Sequence, residues 1–151
     1  MSDTPLSGAL AARILAPFAF GYFLSYLFRT VNAVIAPDLT GELGIGADDL
    51  GLLTSAYLLS FAAAQLPLGI VLDRIGPRLT EAALLLVAAL GALVFALAEG
   101  LGMLFFGRVL IGLGVSACLM AGFKACVDWF ARERLPFVNG LQMAAGGLGA
   151  M

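Results

Sequence analysis

Residues 50–72 read LGLLTSAYLLSFAAAQLPLGIVL, a run of 23 residues without a charged side chain. At 1.5 Å per residue a helix of this length is about 35 Å long, enough to cross the roughly 30 Å hydrocarbon core of a bilayer. A helix also satisfies its backbone N–H and C=O groups without water, as lipid requires. This run therefore predicts a transmembrane helix.

Similar apolar runs lie on both sides of this one. Full spans are predicted at residues 14–36, 50–72, 79–98 and 101–127, and a fifth run covers residues 135–151. The fifth run opens at Pro136, which suits a first helical turn, and it stops within a glycine-rich stretch without a polar flank. We therefore expect an all-α polytopic membrane protein, of which this chain holds four full spans and part of a fifth.

The composition agrees with a chain that faces lipid and excludes several functions. Of the 151 residues, 62% are hydrophobic and 12% are charged, about half the charged share of a soluble domain. Histidine, the commonest metal ligand and general base, is absent, so we predict no enzyme, no metal site and no cofactor. The net charge of −2 and the lack of a long basic cluster argue against a nucleic-acid partner.

Basic residues are concentrated in alternate connections between the predicted spans. One side carries Arg13, Arg74, Arg78, Lys124, Arg132 and Arg134. The connections on the other side, residues 37–49 and 98–100, contain neither Lys nor Arg. The positive-inside rule then predicts a cytoplasmic amino terminus, in a multi-pass protein of the inner (plasma) membrane.

Two arginines lie within the predicted spans. Arg29 precedes Pro37 by eight residues and Arg108 follows Leu101 by seven, so both are expected about 10 to 12 Å from the same ends of their helices. Arginine among hydrocarbon costs at least about 2.5 kcal/mol, so each should face a cavity or a partner. The chain has no acidic residue at that depth. Because guanidinium groups bind carboxylate or phosphate through a planar fork of donors, we predict an anionic ligand.

Three alternatives to an anionic ligand stay open: the arginines pair with acids outside this chain, bond backbone carbonyls, or extend to the membrane surface. The predicted substrate contacts are Arg29 and Arg108 with Tyr22, Tyr26 and Tyr57. Tyr22 and Tyr26 share a helical face with Arg29. Comparable polar faces comprise Thr54, Tyr57, Phe61 and Gln65 on the second span, and Asn139, Gln142 and Gly146 on the fifth. Such faces serve either a cavity or helix packing.

Residues 69–78, GIVLDRIGPR, resemble the signature cytoplasmic loop of the major facilitator superfamily of secondary transporters. They lie between the second and third spans, where that family carries the loop, and Pro77 replaces the commoner basic residue. Residues 108–112 and 129–134 extend the resemblance. It implies an incomplete amino-terminal half of six helices, with the substrate site between it and a carboxy-terminal half of the same protein that this chain lacks.

The resemblance also implies a gate at the cytoplasmic ends of the helices. Asp73 and Arg74 would belong to contacts that form in the outward-facing state and break as the two halves move. The residues assigned to this gate are Gly69, Asp73, Arg74, Gly76, Arg78, Glu133 and Arg134. A contact made in only one of two arrangements biases the equilibrium between them.

Within the superfamily, residues 26–29 (YLFR) and Arg108 resemble the organic-anion and sugar-phosphate transporters. Those members often carry an acidic residue before the first arginine and another seven residues after the second, where this chain has Phe28 and Val115. We therefore predict a secondary transporter of a small organic or inorganic anion that acts by alternating access. It would be an exchanger, a facilitator, or a symporter whose proton-carrying carboxylate lies in the half of the protein that this chain lacks. The alternatives are transport of neutral or cationic compounds and a non-transporting membrane fragment or scaffold.

Overall fold

The computed structural model describes residues 8–151, and every regular element among them is helical. The helices are α1 (Gly8–Leu43), α2 (Ala47–Ile75), α3 (Pro77–Ala96), α4 (Leu101–Val115), α5 (Cys118–Trp129) and α6 (Leu135–Gly149), with a 3-10 turn at Arg132–Arg134 before α6. Residues 1–7, which carry the predicted cytoplasmic amino terminus, lie outside the described part. The predicted all-α fold class is confirmed for the described residues.

Four stretches of the described chain are long and apolar enough to cross a membrane. They are Ala11–Gly41, Ala47–Ile75, Pro77–Ala96 and Leu101–Trp129. Each contains or largely overlaps one of the four predicted full spans. The fifth predicted run forms α6, whose 15 residues give a length of about 22 Å. Many large apolar side chains remain exposed, among them Leu66 at 86% and Phe137 at 77%, as expected for surfaces that face lipid or further helices.

Successive long helices run in opposite directions, so two distinct ends of the bundle can be recognised. At one end the start of α1, the end of α5 and the start of α6 meet in a cluster of Leu15, Cys126 and Val138. At the other end a cluster of Ile45, Leu53 and Leu104 joins the starts of α2 and α4. We call the first the basic end, because the predicted cytoplasmic arginines lie there, and the second the opposite end.

The connection predicted at residues 37–49 is wrong in length. α1 continues through Pro37 to Leu43 and α2 begins at Ala47, which leaves only three residues between them. A proline removes a single helix hydrogen bond, and membrane helices tolerate this loss where neighbouring groups compensate. Beyond the proline, Leu39 packs into the apolar cluster at the opposite end. This packing stabilises the extra helical turns. The helix ends before Gly44, whose φ of 63° is typical of a glycine that terminates a helix.

The predicted fourth span is divided into α4 and α5 by a turn at residues 116–117. The Ser116 hydroxyl donates a 2.7 Å hydrogen bond to the Leu113 carbonyl, a local bond that competes with regular helix geometry. The Ser116 carbonyl accepts a 3.1 Å bond from Nε2 of Gln65 on α2. Because this side chain satisfies a carbonyl at the break, the interruption is compatible with a buried position.

Candidate functional site

Arg29 lies on α1 with its side chain exposed. Its guanidinium carbon is 5.1 Å from the ring centroid of Tyr26 and 5.4 Å from that of Phe61 on α2. A guanidinium group held over aromatic faces gains cation–π attraction while its N–H donors remain available at the edge. In the part of the chain that the structure describes, no carboxylate forms an ion pair with Arg29.

Arg108 lies on α4 and is 1% exposed. One terminal nitrogen donates a 3.0 Å bond to the Phe28 carbonyl, and the other donates a 2.6 Å bond to Oδ1 of Asn32. Its guanidinium carbon also lies 4.7 Å from the ring centroid of Phe95. Its Nε is buried without a hydrogen-bond partner among the described residues. Of the three alternatives to an anionic ligand, bonding to backbone carbonyl oxygen is the one found for this arginine.

The two arginines lie at the same level of the bundle, as predicted. Arg108 bonds to Phe28 and Asn32, which flank Arg29 along α1. The expected distance of Arg29 from the end of its helix is nevertheless wrong. Because α1 extends to Leu43, Arg29 lies 14 residues from that end, or about 21 Å.

The three tyrosines predicted as substrate contacts lie close together on α1 and α2. The Tyr22 hydroxyl donates to the Tyr26 hydroxyl at 3.4 Å, and the two rings meet edge to face with centroids 5.1 Å apart. The Tyr57 hydroxyl donates a 3.3 Å bond to the Ser25 carbonyl. Tyr22 and Tyr57 are buried, whereas Tyr26 is half-buried beside Arg29. Tyr57 therefore joins α2 to α1, and Tyr26 remains the tyrosine nearest to an open surface.

Asn32 is a residue of this site that the sequence analysis missed. Its Oδ1 accepts from Arg108, and its Nδ2 donates a 3.1 Å bond to the Thr54 hydroxyl on α2. One 8% exposed amide therefore links α4, α1 and α2. Its position three residues after Arg29, in an otherwise apolar stretch, was the available signal.

The polar residues of α6 take part in helix packing. Gln142 is fully buried and donates a 3.4 Å bond from Nε2 to the Cys118 carbonyl at the start of α5. Gly146 lies against the ring of Tyr22. Asn139 has a buried Oδ1 without a partner among the described residues. Both Gln142 and Gly146 therefore face other helices rather than an open cavity.

The basic end carries the residues assigned to a gate. Asp73 forms a 2.9 Å ion pair with Lys124 of α5, whose pairing the sequence analysis did not predict. Gly76 is the single residue between α2 and α3, and its φ of 89° is one that only glycine adopts readily. The other assigned residues have exposed positions at or near this end: Gly69, Arg74, Arg78, Glu133 and Arg134.

Comparison with known proteins agrees with the resemblance in the loop after α2. A family model described as Major Facilitator Superfamily matches residues 18–151. A nitrate/nitrite transporter of Picosynechococcus sp. is 29% identical over 138 residues, covering 91% of this chain and 26% of that protein. The hexuronate transporter of Escherichia coli is 30% identical over 138 residues, covering 91% of this chain and 32% of that protein.

A probable L-galactonate transporter of Escherichia coli is 35% identical over 118 residues, covering 74% of this chain and 24% of that protein. This chain thus spans about a quarter to a third of the length of these relatives. Their names share one chemical feature, since nitrate, hexuronate and galactonate are all anions.

Proposed function

The chain belongs to the major facilitator superfamily, and we propose that it forms the amino-terminal part of a secondary transporter that moves a small anion across a membrane by alternating access. The anionic substrates in the names of the relatives support this proposal. A carboxy-terminal half of the same protein, outside this chain, would complete the substrate site.

Arg29 is the observation that carries the anion assignment. It combines a permanent positive charge, an exposed position within a membrane-spanning helix and two supporting aromatic rings. A cation at such a depth needs a compensating negative charge, and the described residues contribute none. An anion bound at the edge of the guanidinium group would supply that charge and would accept two parallel hydrogen bonds.

Arg108 would contribute to the same site mainly through its charge. Its terminal nitrogens already bond to α1, so a substrate need not displace them for the positive charge to act. In a region of low dielectric constant a second cation near Arg29 strengthens attraction for an anion. Tyr26, which lies beneath the Arg29 guanidinium, would hold that group in place and line the site, with Tyr22 and Tyr57 behind it.

The test is uptake of radiolabelled nitrate and galacturonate into proteoliposomes by the transporter that contains this chain. Arg29→Gln should weaken apparent affinity about 10- to 100-fold, as expected for the loss of a charge-assisted bond worth about 1.5 to 3 kcal/mol. Arg29→Lys should recover part of it. Arg132→Gln, at an exposed arginine outside the site, is the control and should leave affinity unchanged. Wild-type affinity in Arg29→Gln for every transported anion would refute the assignment.

The charge distribution supports an orientation for this transporter. With the basic end in the cytoplasm, the protein would lie in the inner (plasma) membrane with its amino terminus inside the cell. The exposed charges of the basic end, Arg74, Arg78, Glu133 and Arg134, would then face the cytoplasmic part of the missing half. There they would form the gate with Asp73. Gly69 would allow a helix of the missing half to approach α2 closely, and Gly76 allows the tight turn between α2 and α3.

A further inference from the structure

A cavity of about 590 Å³ opens at the basic end between α1 and α3. Its charged lining residues are Arg13 from α1 and Arg78 and Glu81 from α3, and Trp129 at the end of α5 completes its wall. The remaining lining is apolar. This cavity lies apart from Arg29 and Arg108, which do not line it, and its volume is sufficient for several water molecules.

Glu81 is an acidic side chain buried in the largely apolar wall of this cavity. It is 4% exposed, and its Oε1 is buried without a hydrogen-bond partner among the described residues. This oxygen lies against Gly21 of α1, where even one added carbon atom would collide with it. A charged carboxylate without a partner is strongly disfavoured in an apolar surrounding, whereas the protonated form is neutral and far less costly to bury. The position therefore fits a carboxyl group that holds a proton.

The charged and titratable groups around Glu81 allow the proton to leave again. Arg78 lies three residues earlier on the same helix, and Arg13 lies across the cavity; both have exposed side chains. After deprotonation the carboxylate can turn towards either guanidinium group. On α5 the Cys118 thiol is fully buried, and Lys124 is already paired with Asp73. At the basic end of α2 the charged residues are exposed Asp73 and Arg74, and the one charged residue of α4, Arg108, bonds to α1 instead.

We propose that Glu81 is a proton-binding site that couples protons from the basic-end side to anion transport. The proposal rests on the function proposed above. Of the three coupling modes left open by the sequence analysis it selects the symporter, with the proton-carrying carboxylate in this chain and not in the missing half. In the protonated state the neutral carboxyl lies against Gly21 and keeps α1 close to α3. On release, the proton passes to water in the cavity and the carboxylate pairs with Arg78 or Arg13.

The connection to the anion runs along α1. Gly21 and Arg29 lie on this helix eight residues apart, about 12 Å. Neutralising Glu81 also removes a negative charge from the half of the protein that must attract the anion. Proton binding and anion binding should therefore favour each other, and by linkage each raises the affinity for the other by the same factor.

The test measures apparent affinity for nitrate and galacturonate in proteoliposomes as the pH on the basic-end side is varied from about 5 to about 9. In the wild-type transporter, affinity should rise by up to about tenfold for each unit by which pH falls through the titration range. Glu81→Gln, which is permanently neutral, should retain high affinity at every pH. Glu99→Gln, at an exposed acid on the connection between α3 and α4, is the matched control and should keep the wild-type pH dependence.

A wild-type pH dependence that survives Glu81→Gln would overturn the proposal, and so would an affinity that does not vary with pH in the wild type. Absence of any anion transport by the wild type would instead refute the proposed function.

A measurement without a variant covers the case in which Glu81→Gln fails to fold. An apolar carbodiimide reacts with protonated buried carboxyls, so peptide mapping of the wild-type protein should find label on Glu81 that declines as pH rises. No label on Glu81 at any pH would equally overturn the proposal.

Discussion

At the scale of single residues, Arg108 shows how an arginine is kept inside a membrane bundle without an acidic partner in the described part of the chain. Its two terminal nitrogens use the Phe28 carbonyl and the Asn32 amide as acceptors, and Phe95 covers one face. Since Asn32 also donates to Thr54, the charge is anchored to two further helices. Removing an acceptor from such a network costs the desolvation penalty of the donor left behind.

Asn32→Ala is therefore expected to destabilise the protein by about 1.5 to 3 kcal/mol, because Arg108 loses its shortest bond. The measurement is unfolding in detergent by denaturant or heat. Asn139→Ala is the matched control, since the Asn139 Oδ1 has no partner among the described residues, and it should cost much less. Asn32→Asp should retain most of the stability by forming an ion pair with Arg108. Equal losses in the two alanine variants would contradict the assigned role of Asn32.

Residue chemistry explains which part of this arrangement the sequence could predict. Counting residues from Pro37 and Leu101 predicted that Arg29 and Arg108 lie at one level, although it misjudged the distance of Arg29 from the end of α1. The backbone acceptor of Arg108 could not be predicted, because every residue carries a backbone carbonyl and no sequence pattern marks the one that accepts the bond. The burial of Glu81 was missed for a related reason: it lies only four residues into α3, where sequence analysis expects charged residues to reach water.

At the scale of elements, α5 and α6 pack around a single buried amide. Gln142 is fully buried, bonds to the Cys118 carbonyl and lies directly against Gly122 of α5. An added methyl group at Gly122 would collide with the Gln142 amide. The contact thus depends on the long polar side chain of Gln142 and on the lack of a side chain at Gly122, which faces it.

Gly122→Ala should destabilise the protein by about 1 to 3 kcal/mol, because overpacking forces the Gln142 side chain or its helix to move. Gln142→Ala in the same chain should recover part of this loss, so that the two changes are not additive. Gly140→Ala serves as control, since its added carbon would meet no heavy atom of residues 8–151 within 4 Å, and it should be neutral or slightly stabilising. Unfolding in detergent measures four variants: Gly122→Ala, Gln142→Ala, the two changes together, and Gly140→Ala. Additive losses from the two changes would rule out the contact.

The helices were easier to predict than their ends. Long apolar runs identify spans because length and polarity are properties of the sequence itself. The extension of α1 past Pro37 and the break at Ser116 depend on tertiary contacts instead. Leu39 packs into a cluster from several helices, and Gln65 satisfies the Ser116 carbonyl from a residue 51 positions away. Neither partner is visible in a local stretch of sequence.

At the scale of the whole molecule, the basic end combines fixed contacts with exposed charges. The Asp73–Lys124 ion pair joins the end of α2 to α5, while Arg74, Arg78 and Glu133 are exposed. The family membership was predictable from the loop after α2, because that loop has a specific sequence. Which faces the bundle would present to a second half could not be predicted, because exposure depends on how all the helices pack.

Asp73→Asn is expected to slow the proposed transport about fivefold or more while the protein still inserts and folds, because the proposed gate would lose a contact made in only one state. Lys124→Gln distinguishes an effect of the Asp73–Lys124 ion pair within this chain from an effect of a contact between Asp73 and the missing half. If the ion pair inside this chain matters, Lys124→Gln should slow transport equally, and the exchange Asp73→Lys with Lys124→Asp should restore it. Asp128→Asn, at an exposed acid of α5, is the control. The measurement is initial uptake rate at saturating anion, and an unchanged rate in Asp73→Asn would exclude the gate.

The one-residue turn at Gly76 limits where residues can be inserted into or deleted from this protein. Because one residue connects α2 to α3, the chain has no slack there. An inserted residue accommodated within α3 would rotate all side chains behind it by about 100° around the helix axis and would carry Glu81 away from Gly21. Homologous proteins that share this arrangement should therefore show neither insertion nor deletion at this turn, and epitope tags placed there should abolish the proposed transport.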